Sequence, residues 1–266
     1  MNSDDVTPLS PVFDSGSMVY ESAGPLCIGS GSFATVYVTK GNPVAFKVVH
    51  HQSESKTVLA EFEVLRAVYE NCRSIPGFMV PGPKGYFDPH EGTIVFRSGR
   101  TVPVVTAGPS SMAAKSVPTL FDGVSHIHHR AMYAMDRVHR FPEALSRVLA
   151  EKYLPASVTD LPFLLRIYLG KVVRSTGFIN TRKFPVDSER YEYLRRTAEL
   201  TLPEFPPLPP VRKVARYMGQ TLAKVHFRAG YDTRDIEFVC GGDGWAEACF
   251  YIIDFNQVSS CPFLCM

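Results

Sequence analysis

The stretch IGSGSFATVYVTKGNPVAFKVV combines a glycine-rich turn with a lysine, and this combination suits the binding of an anionic group. Gly29, Ser30, Gly31 and Ser32 form the turn between two apolar runs, and Lys47 lies inside the second run. Backbone amides of such a turn and a nearby ammonium can donate hydrogen bonds to a phosphate or an oxyanion. We predict that the four turn residues contact a ligand, although an ordinary hairpin turn has the same composition.

Acidic residues further along the chain could complete this site. Glu61 lies in an amphipathic helix after the lysine, Asp232 and Glu237 stand five residues apart in YDTRDIEF, and Asp254 follows an apolar run in IIDFN. A carboxylate can accept a proton from an attacking amine, pair with a lysine or bind a guanidinium. The candidate catalytic residues are therefore Lys47, Glu61, Asp232 and Asp254.

The order of these residues resembles that of the protein kinases. Lys47 in VAFK is similar to the strand lysine that pairs with a helix glutamate, and Glu61 stands where that glutamate would be. Asp232 and Glu237 match the catalytic aspartate and the metal-binding asparagine, and Asp254 matches the metal-binding aspartate. The resemblance implies a two-lobed α+β fold with a small antiparallel β lobe containing one helix, followed by a mainly helical lobe.

Three departures from the kinase pattern argue against protein phosphorylation. Ala34 replaces the third glycine of the turn, Glu237 replaces the asparagine, and Asn256 replaces the glycine after the late aspartate. We also expect the fold to be truncated after the strand that precedes this aspartate, because only ten residues follow Asn256. Such a chain would lack the activation segment and the helical platform that hold a peptide substrate.

The segments GSGSFATVY, VAFK, AKVHFRAGYDTRDIEFVCGG and YIIDFNQV resemble a fungal family once labelled zinc-finger-like or of unknown function. Some members of that family are arginine-containing cyclodipeptide synthases. The resemblance implies an enzyme that joins arginine from arginyl-tRNA to a second aminoacyl group and closes a diketopiperazine. It implies aminoacyl-tRNAs as partners and no cofactor, because the aminoacyl ester is already activated.

For this reaction we assign expected roles to the candidate residues. Asp235, Glu237 and Asp254 would bind the arginine side chain, since paired carboxylates match a guanidinium. Asp232 would act as the general base, and Lys47 would stabilise the oxyanion or contact phosphates. Covalent catalysis through a serine or tyrosine and direct attack of one aminoacyl-tRNA on the other both stay open.

Basic residues concentrate before the acidic C-terminal part of the sequence. Between positions 171 and 228 there are twelve lysines and arginines and five acids, whereas positions 229–266 contain six acids and one arginine. A basic surface of this kind can follow an RNA backbone, although a solvated helix face gives the same pattern. The predicted tRNA-binding residues are Arg182, Lys183, Arg190, Arg195, Arg196, Arg212, Lys213 and Arg216.

Composition and periodicity predict the organisation of the chain. We expect a disordered N-terminus over 1–17, a β-rich lobe over 18–105, a flexible insertion over 106–130, and a connector with a helical lobe over 131–266. The segment AMYAMDRV would link the lobes. Helices are predicted over SKTVLAEFEVLRAVYENC, PEALSRVLAEKYL, LPFLLRIYLGKVV, SERYEYLRRTAEL and VRKVARYMGQTLAKVHFRAG, with a late hairpin over IEFVCGG and CFYIIDFNQV.

The remaining sequence features narrow the class of protein. The six cysteines show no paired CxxC spacing, so we expect buried thiols and no metal site. No apolar run is long enough for a membrane span, and we expect a cytoplasmic protein without a membrane or stable protein partner. Two alternatives to the synthase stay open, namely a small-molecule kinase that uses ATP and magnesium, and a pseudokinase that binds without catalysis.

Overall fold

The protein has a mixed α+β fold, as the sequence predicts, and its described strands form two separate sheets. The structure is a computed structural model that describes residues 24–73, 76–104, 120–121, 124, 127, 129–174, 180–233 and 235–259. The segment 1–17 and most of 106–130, predicted to be disordered and flexible, lie outside these residues.

Eleven strands and four α-helices form the described part of the chain. The strands are β1 (Leu26–Ser30), β2 (Ala34–Val38), β3 (Val44–Val49), β4 (Pro83–Asp88), β5 (Thr93–Phe96), β6 (Thr101–Pro103), β7 (Met132–Asp136), β8 (Leu164–Tyr168), β9 (Lys183–Asp187), β10 (Glu237–Gly242) and β11 (Ala248–Ile253). The helices are α1 (Ser55–Cys72), α2 (Glu143–Tyr153), α3 (Ser188–Thr201) and α4 (Val211–Lys224).

The first sheet is antiparallel and carries the glycine-rich hairpin at one edge. Its strand order is β1-β2-β3-β7-β4-β5-β6. Helix α1 packs on it through Val58, Phe62 and Leu65, which are buried and recur at the three- and four-residue spacing of a helix face. The predicted helix over SKTVLAEFEVLRAVYENC is therefore confirmed.

The segment AMYAMDRV is a central strand of the first sheet, and the prediction that it links two lobes is wrong for most of its length. Its strand β7 pairs with both β3 and β4. Met132, Tyr133 and Ala134 are buried, which explains why an apolar run without alternation forms a strand here. The connection to the rest of the chain begins only after Asp136.

The second sheet has four strands in the order β11-β10-β8-β9. Strand β8 occupies the middle of LPFLLRIYLGKVV, so the helix predicted for that segment is wrong. A short apolar run fits a buried strand and a buried helix equally well, and here Pro162 and Gly170 confine it to strand length. Strand β8 pairs in parallel with β9, a strand that the sequence did not reveal.

The other elements of the C-terminal half agree with the sequence. Helices α2, α3 and α4 and the β10–β11 hairpin lie where they were predicted. Asp187 caps α3 by accepting a hydrogen bond from the Arg190 amide at 2.9 Å. A five-residue π-helical turn, Val225–Ala229, extends α4 and ends at Gly230. The φ of Gly230 is 76°, a left-handed conformation that favours glycine.

One apolar core joins the two sheets and fixes the space between them. Phe78 packs edge-on against Phe238 and Phe250, with ring centroids 5.0 and 5.4 Å away. The Met79 amide donates to the Phe250 carbonyl at 2.8 Å, and the Ile252 amide donates to the Met79 carbonyl at 3.0 Å. The segment between α1 and β4 therefore hydrogen-bonds directly to β11. These hydrogen bonds fix the two walls of the cleft relative to each other.

Candidate active site

A cavity of about 380 Å³ lies between the two sheets. The glycine-rich hairpin, β3, α1 and β7 form one wall, and β8, β9, β10 and the end of β11 form the other. Such a cleft is the usual place for a small ligand. The following side chains of opposite charge line it: Lys47, Glu61, Arg166, Arg182, Lys183, Glu237 and Asp254.

Lys47 and Glu61 form a buried ion pair at the back of the cleft. The Lys47 Nζ lies 2.6 Å from the Glu61 Oε1, and their side chains are 11% and 0% exposed. Burial raises the pKa of Glu61, and the Lys47 ammonium opposes that rise. The Phe33 ring covers the ammonium at 5.0 Å, so the lysine is held by an acid on one side and an aromatic face on the other. The structure thus brings together the first two predicted catalytic residues.

Asp254 is placed at the open side of this pair by the end of β11. Its Oδ1 lies 3.5 Å from the Lys47 Nζ, and its Oδ2 lies 3.8 Å from the Lys183 Nζ. The side chain is 28% exposed, so its carboxylate is the most accessible of the three that line the cavity. Its backbone φ is 68°, a left-handed conformation that a non-glycine residue adopts at an energetic cost.

Glu237 already has two cationic partners. Arg166 Nη1 lies 2.9 Å from its Oε1, and Lys183 Nζ lies 2.6 Å from its Oε2. Since each carboxylate oxygen contacts a cation, this geometry argues against the predicted role of Glu237 as a free receptor for guanidinium. Lys183 extends from β9 and lies between Glu237 and Asp254, so one ammonium joins two carboxylates of the second wall.

The charged lining of the cleft has a net positive balance. Four cations face three carboxylates, and each carboxylate lies within 4 Å of at least one of the cations. Arg182 is exposed and has no ion pair within the described residues. An anion entering the cleft would therefore find an uncommitted guanidinium beside the Lys183 ammonium.

The glycine-rich turn contributes space more than hydrogen-bond donors. Gly29 pairs with Val36, and a Cβ added to Gly29 would come no closer than 3.9 Å to another protein atom. Gly31 is not in a positive-φ conformation, and its amide donates within the turn to the Ala34 carbonyl at 2.9 Å. The fold itself does not demand either glycine, so their small size leaves room for a ligand. Ser32, the fourth predicted contact, lies in the same turn but does not line the cavity.

Ser30 lines the cavity, but its hydroxyl is engaged within the hairpin. Its hydroxyl lies 3.3 Å from that of Thr35, which in turn lies 2.9 Å from the His50 Nε2. Thr35 pairs with Val48, whose side chain is buried in the core on the side away from Lys47. These hydrogen bonds stiffen the hairpin. Because they engage the Ser30 hydroxyl, the predicted ligand contact of Ser30 would be made by its backbone.

Asp232 and Asp235 do not line the cavity. Asp232 is half-buried and its amide donates to the Ser259 carbonyl at 2.8 Å, while Asp235 is exposed. The predicted base Asp232 and the predicted guanidinium ligand Asp235 are therefore not among the side chains that line the cavity with Lys47, Glu61 and Asp254.

The predicted RNA-binding cations fall into three groups. Arg182 and Lys183 line the cleft. On α3, Arg195 and Arg196 pair with Glu192 at 2.6 and 3.0 Å, and Arg190 packs over Tyr153 at 4.9 Å.

The third group lies on α4 and has a different character. Arg212, Lys213 and Arg216 are exposed and have no ion pair within the described residues. The helix and its π-helical extension contain no aspartate or glutamate. These cations of α4 are therefore available to a polyanion, whereas Arg195 and Arg196 of α3 are paired with acids of their own helix.

Sequence reasoning missed Arg166 and the cleft location of Lys183. The apolar pattern around Arg166 predicts a helix, and the charge pattern places Lys183 on a basic surface. The alternation of LLRIY is the signal that could have identified Arg166, because it separates the arginine from its buried neighbours Leu165 and Ile167.

The sequence matches no protein-family model, and no curated protein is significantly similar to it. Among the described residues, no group of three or more histidine, cysteine or acidic side chains is arranged to hold a metal ion. No helix in the described ranges combines the length and the apolarity needed to cross a bilayer.

Proposed function

We propose that this protein is a tRNA-dependent cyclodipeptide synthase that joins arginine from arginyl-tRNA to a second aminoacyl group. The observation that carries this proposal is the position of Lys183. Its ammonium lies 2.6 Å from Glu237 and 3.8 Å from Asp254, the two residues that match the metal ligands of the kinase pattern. In this proposal the lysine stands in for the divalent cation that two such carboxylates bind in phosphoryl transfer.

The chemistry of aminoacyl transfer suits a cleft of this kind. An aminoacyl ester is already activated, and its aminolysis requires no phosphate neutralisation by metal. The α-amino group of one residue attacks the ester carbonyl of the other; a C–N bond forms, the C–O bond to ribose breaks, and the ribose hydroxyl leaves. Reaction of the remaining ester with the remaining amine closes the diketopiperazine ring.

Lys47 is the candidate for stabilising the oxyanion of the tetrahedral intermediate. Its ammonium is fixed by Glu61 on one side and lies under the Phe33 ring, so little reorganisation is needed when negative charge develops. Arg182 and Lys183, which line the cleft, would meet the terminal phosphates of the tRNA.

Asp254 is the candidate for recognising the arginine side chain. Its distances of 3.5 and 3.8 Å to the two lysines leave it less tightly bound than Glu61 or Glu237, which have partners at 2.6 Å. A carboxylate with free lone pairs can accept two hydrogen bonds from a guanidinium. The proposal assigns no contact to Asp235 and leaves Asp232 as an untested candidate base outside the cavity.

The body of the tRNA would contact the exposed cations of α4. Phosphate contacts from Arg212, Lys213 and Arg216 would give affinity without sequence preference. The kinase-like, two-lobed arrangement belongs to the proposal as well, supported by the glycine-rich hairpin, the lysine–glutamate pair and the aspartate after β11.

An ATP-dependent small-molecule kinase is the second candidate, and the buried pair of Lys47 and Glu61 favours it. The same pair orients a lysine toward nucleotide phosphates in kinases. The two candidates differ in ligand: a kinase would be strongly stabilised by ATP with magnesium in a thermal-shift measurement, because ligand binding to the native state raises its apparent stability.

Expression in a heterologous host, followed by mass spectrometry of extracts, tests the proposed activity. We expect an arginine-containing diketopiperazine with the wild-type chain and its loss with Lys47→Met. Arg97→Gln, which changes a cation outside the cleft, is the matched control and should leave the product. Soluble, folded protein without any such product, combined with stabilisation by ATP and magnesium, would favour the kinase.

A further inference from the structure

A second cavity, of about 230 Å³, lies at the far end of the β10–β11 hairpin. Its walls are the segment that leads from β7 into α2 and the turn that joins β10 to β11. The two segments are tied together, because the Gly242 amide donates to the His139 carbonyl at 3.0 Å. A Cβ on Gly244 would lie only 3.0 Å from the His139 ring, so the turn packs directly on that imidazole.

Trp245 stands at this cavity with its indole almost wholly in solvent. It is the only tryptophan of the chain, and 94% of it is exposed. Its backbone is held in place: Asp243 Oδ1 accepts hydrogen bonds from the Trp245 amide at 2.8 Å and from the Glu247 amide at 3.1 Å. An ordered turn therefore presents a large aromatic face that contributes nothing to the core.

Around Trp245 the acidic side chains have hydrogen-bond or ion-pair partners, but the two arginines have no ion pair within the described residues. Of the two acids at this cavity, Asp243 is engaged by the amides of the turn, and Glu143 pairs with Arg147. Arg137 and Arg140 have no ion pair within the described residues, and the buried Nε of Arg137 has no hydrogen-bond partner there. Uncommitted guanidinium groups beside an exposed indole suit a ligand that is both anionic and aromatic.

We propose that the Trp245 cavity binds a nucleotide of a single-stranded RNA. The base stacks on the indole, and its phosphate accepts hydrogen bonds from Arg137 and Arg140. Stacking on an aromatic side chain combined with cationic contacts to the backbone is the general physical basis of single-strand binding. An apolar protein partner would instead leave both guanidinium groups desolvated without acids to pair them.

A single-stranded RNA that enters the cleft could also reach this second cavity. Glu237 at one end of β10 lines the cleft, and Gly242 at the other end lines the second cavity. Glu237 and Gly242, the first and last of the six residues of β10, are about 17 Å apart at a strand's rise per residue. Nucleotide binding in this cavity does not require that the cleft perform aminoacyl transfer.

Fluorescence of the single tryptophan tests the proposal directly. We expect an adenosine hexaribonucleotide to quench Trp245 emission in a saturable manner, with affinity that falls as salt rises. Arg140→Gln should raise the Kd for the hexanucleotide at least about fivefold, whereas Lys56→Gln, an exposed cation on α1, should leave it unchanged. Absence of quenching, or a Kd that Arg140→Gln leaves unchanged, would overturn the proposal.

Two substitutions at the tryptophan separate stacking from general electrostatics. With a dye-labelled hexanucleotide, Trp245→Phe should retain most of the affinity, and Trp245→Ala should weaken binding about tenfold. An indole this exposed can be removed without unfolding the chain, which circular dichroism of both variants would verify. Equal binding by Trp245→Ala and the wild type, or equal quenching by duplex and single-stranded RNA, would refute a stacking site.

Discussion

Asp254 is, among the described residues, the one non-glycine residue with a positive φ, and it lies in the cleft beside Lys47 and Lys183. Residues held in such conformations cost of order 1 kcal/mol and persist where a function or the surrounding structure requires them. The backbone strain and the loose ion pairs of the carboxylate occur at the same residue that the proposed reaction needs for arginine. Stability and function should therefore be in conflict at this position.

Replacing Asp254 by glycine or by alanine tests this conflict. Both changes remove the same charge, but only glycine adopts a φ of 68° freely. We expect Asp254→Gly to be more stable than Asp254→Ala by about 1 kcal/mol in denaturant unfolding. Both variants should lose product formation from arginyl-tRNA. Equal stability of the two would show that the backbone conformation stores no strain.

Glu61 gives the cleft a pH dependence of known sign. Burial raises the pKa of Glu61 above its usual value of 4.5, which means that the folded state binds this proton more tightly than the unfolded state. Its contribution to stability is fully present below pH 4.5 and is lost as the pH rises through the raised pKa.

Glu61→Gln removes this titration and serves as the reference. The free energy of unfolding of the wild type, relative to Glu61→Gln, should decrease from pH 4.5 upward by as much as about 1.4 kcal/mol per pH unit. Urea unfolding at several pH values measures the difference. A difference that grows with pH would mean that Lys47 outweighs the cost of burial.

The two faces of the glycine-rich hairpin have different surroundings. The outer face carries the hydrogen bonds of Ser30, Thr35 and His50, and the inner face, with Gly29 and Val36, borders the cleft. Ordered backbone on one side and open space on the other suit the close approach of a ligand.

Gly29→Ala tests whether that space is used. An added Cβ would project toward Val36 and the cleft without meeting another protein atom inside 3.9 Å. We expect an unchanged or slightly higher unfolding free energy, by up to about 1 kcal/mol, because alanine costs less chain entropy in a strand. Product formation should fall at least about tenfold. Gly24→Ala, with nothing within 4 Å, is the control and should alter neither quantity.

Helices α3 and α4 are both rich in arginine, but Arg195 and Arg196 of α3 are paired with acids whereas Arg212 and Arg216 of α4 have no ion pair within the described residues. Arg216→Gln on α4 should weaken tRNA binding severalfold and reduce the slope of log affinity against log salt by about one. Arg196→Gln on α3 removes a cation that is already paired with Glu192 and should change neither value appreciably. Filter binding at several salt concentrations measures both. Identical losses for the two variants would contradict the division between the helices.

The elements that sequence predicted well are those with a repeating pattern. The spacing of Val58, Phe62 and Leu65 identifies α1 without tertiary information. Strand β8 has five residues, and its apolar content does not distinguish a strand from a helix; only pairing with β9 and β10 decides it. Propensity is too weak to determine the structure of so short a segment.

At the level of the whole molecule, the sequence indicated the pairing of Lys47 with Glu61 but not the opposite wall of the cleft. Lys183 and Glu237 are 54 residues apart, and no local pattern reveals that β9 and β10 bring them within 2.6 Å. The sequence predicts carboxylates for a guanidinium in this cleft, whereas four cations and three carboxylates give it a net positive lining. The two-sheet architecture therefore determines which ligand charge the cleft favours.

The most direct test is a reaction of the purified chain with arginyl-tRNA and a second aminoacyl-tRNA, both charged beforehand and freed of ATP and synthetases. We predict an arginine-containing cyclic dipeptide by mass spectrometry, formed without nucleotide and abolished by Lys47→Met. Lys183→Gln should reduce it strongly, because the two carboxylates would then lose their shared ammonium. Folded protein that yields no cyclic dipeptide from these two substrates would contradict the account.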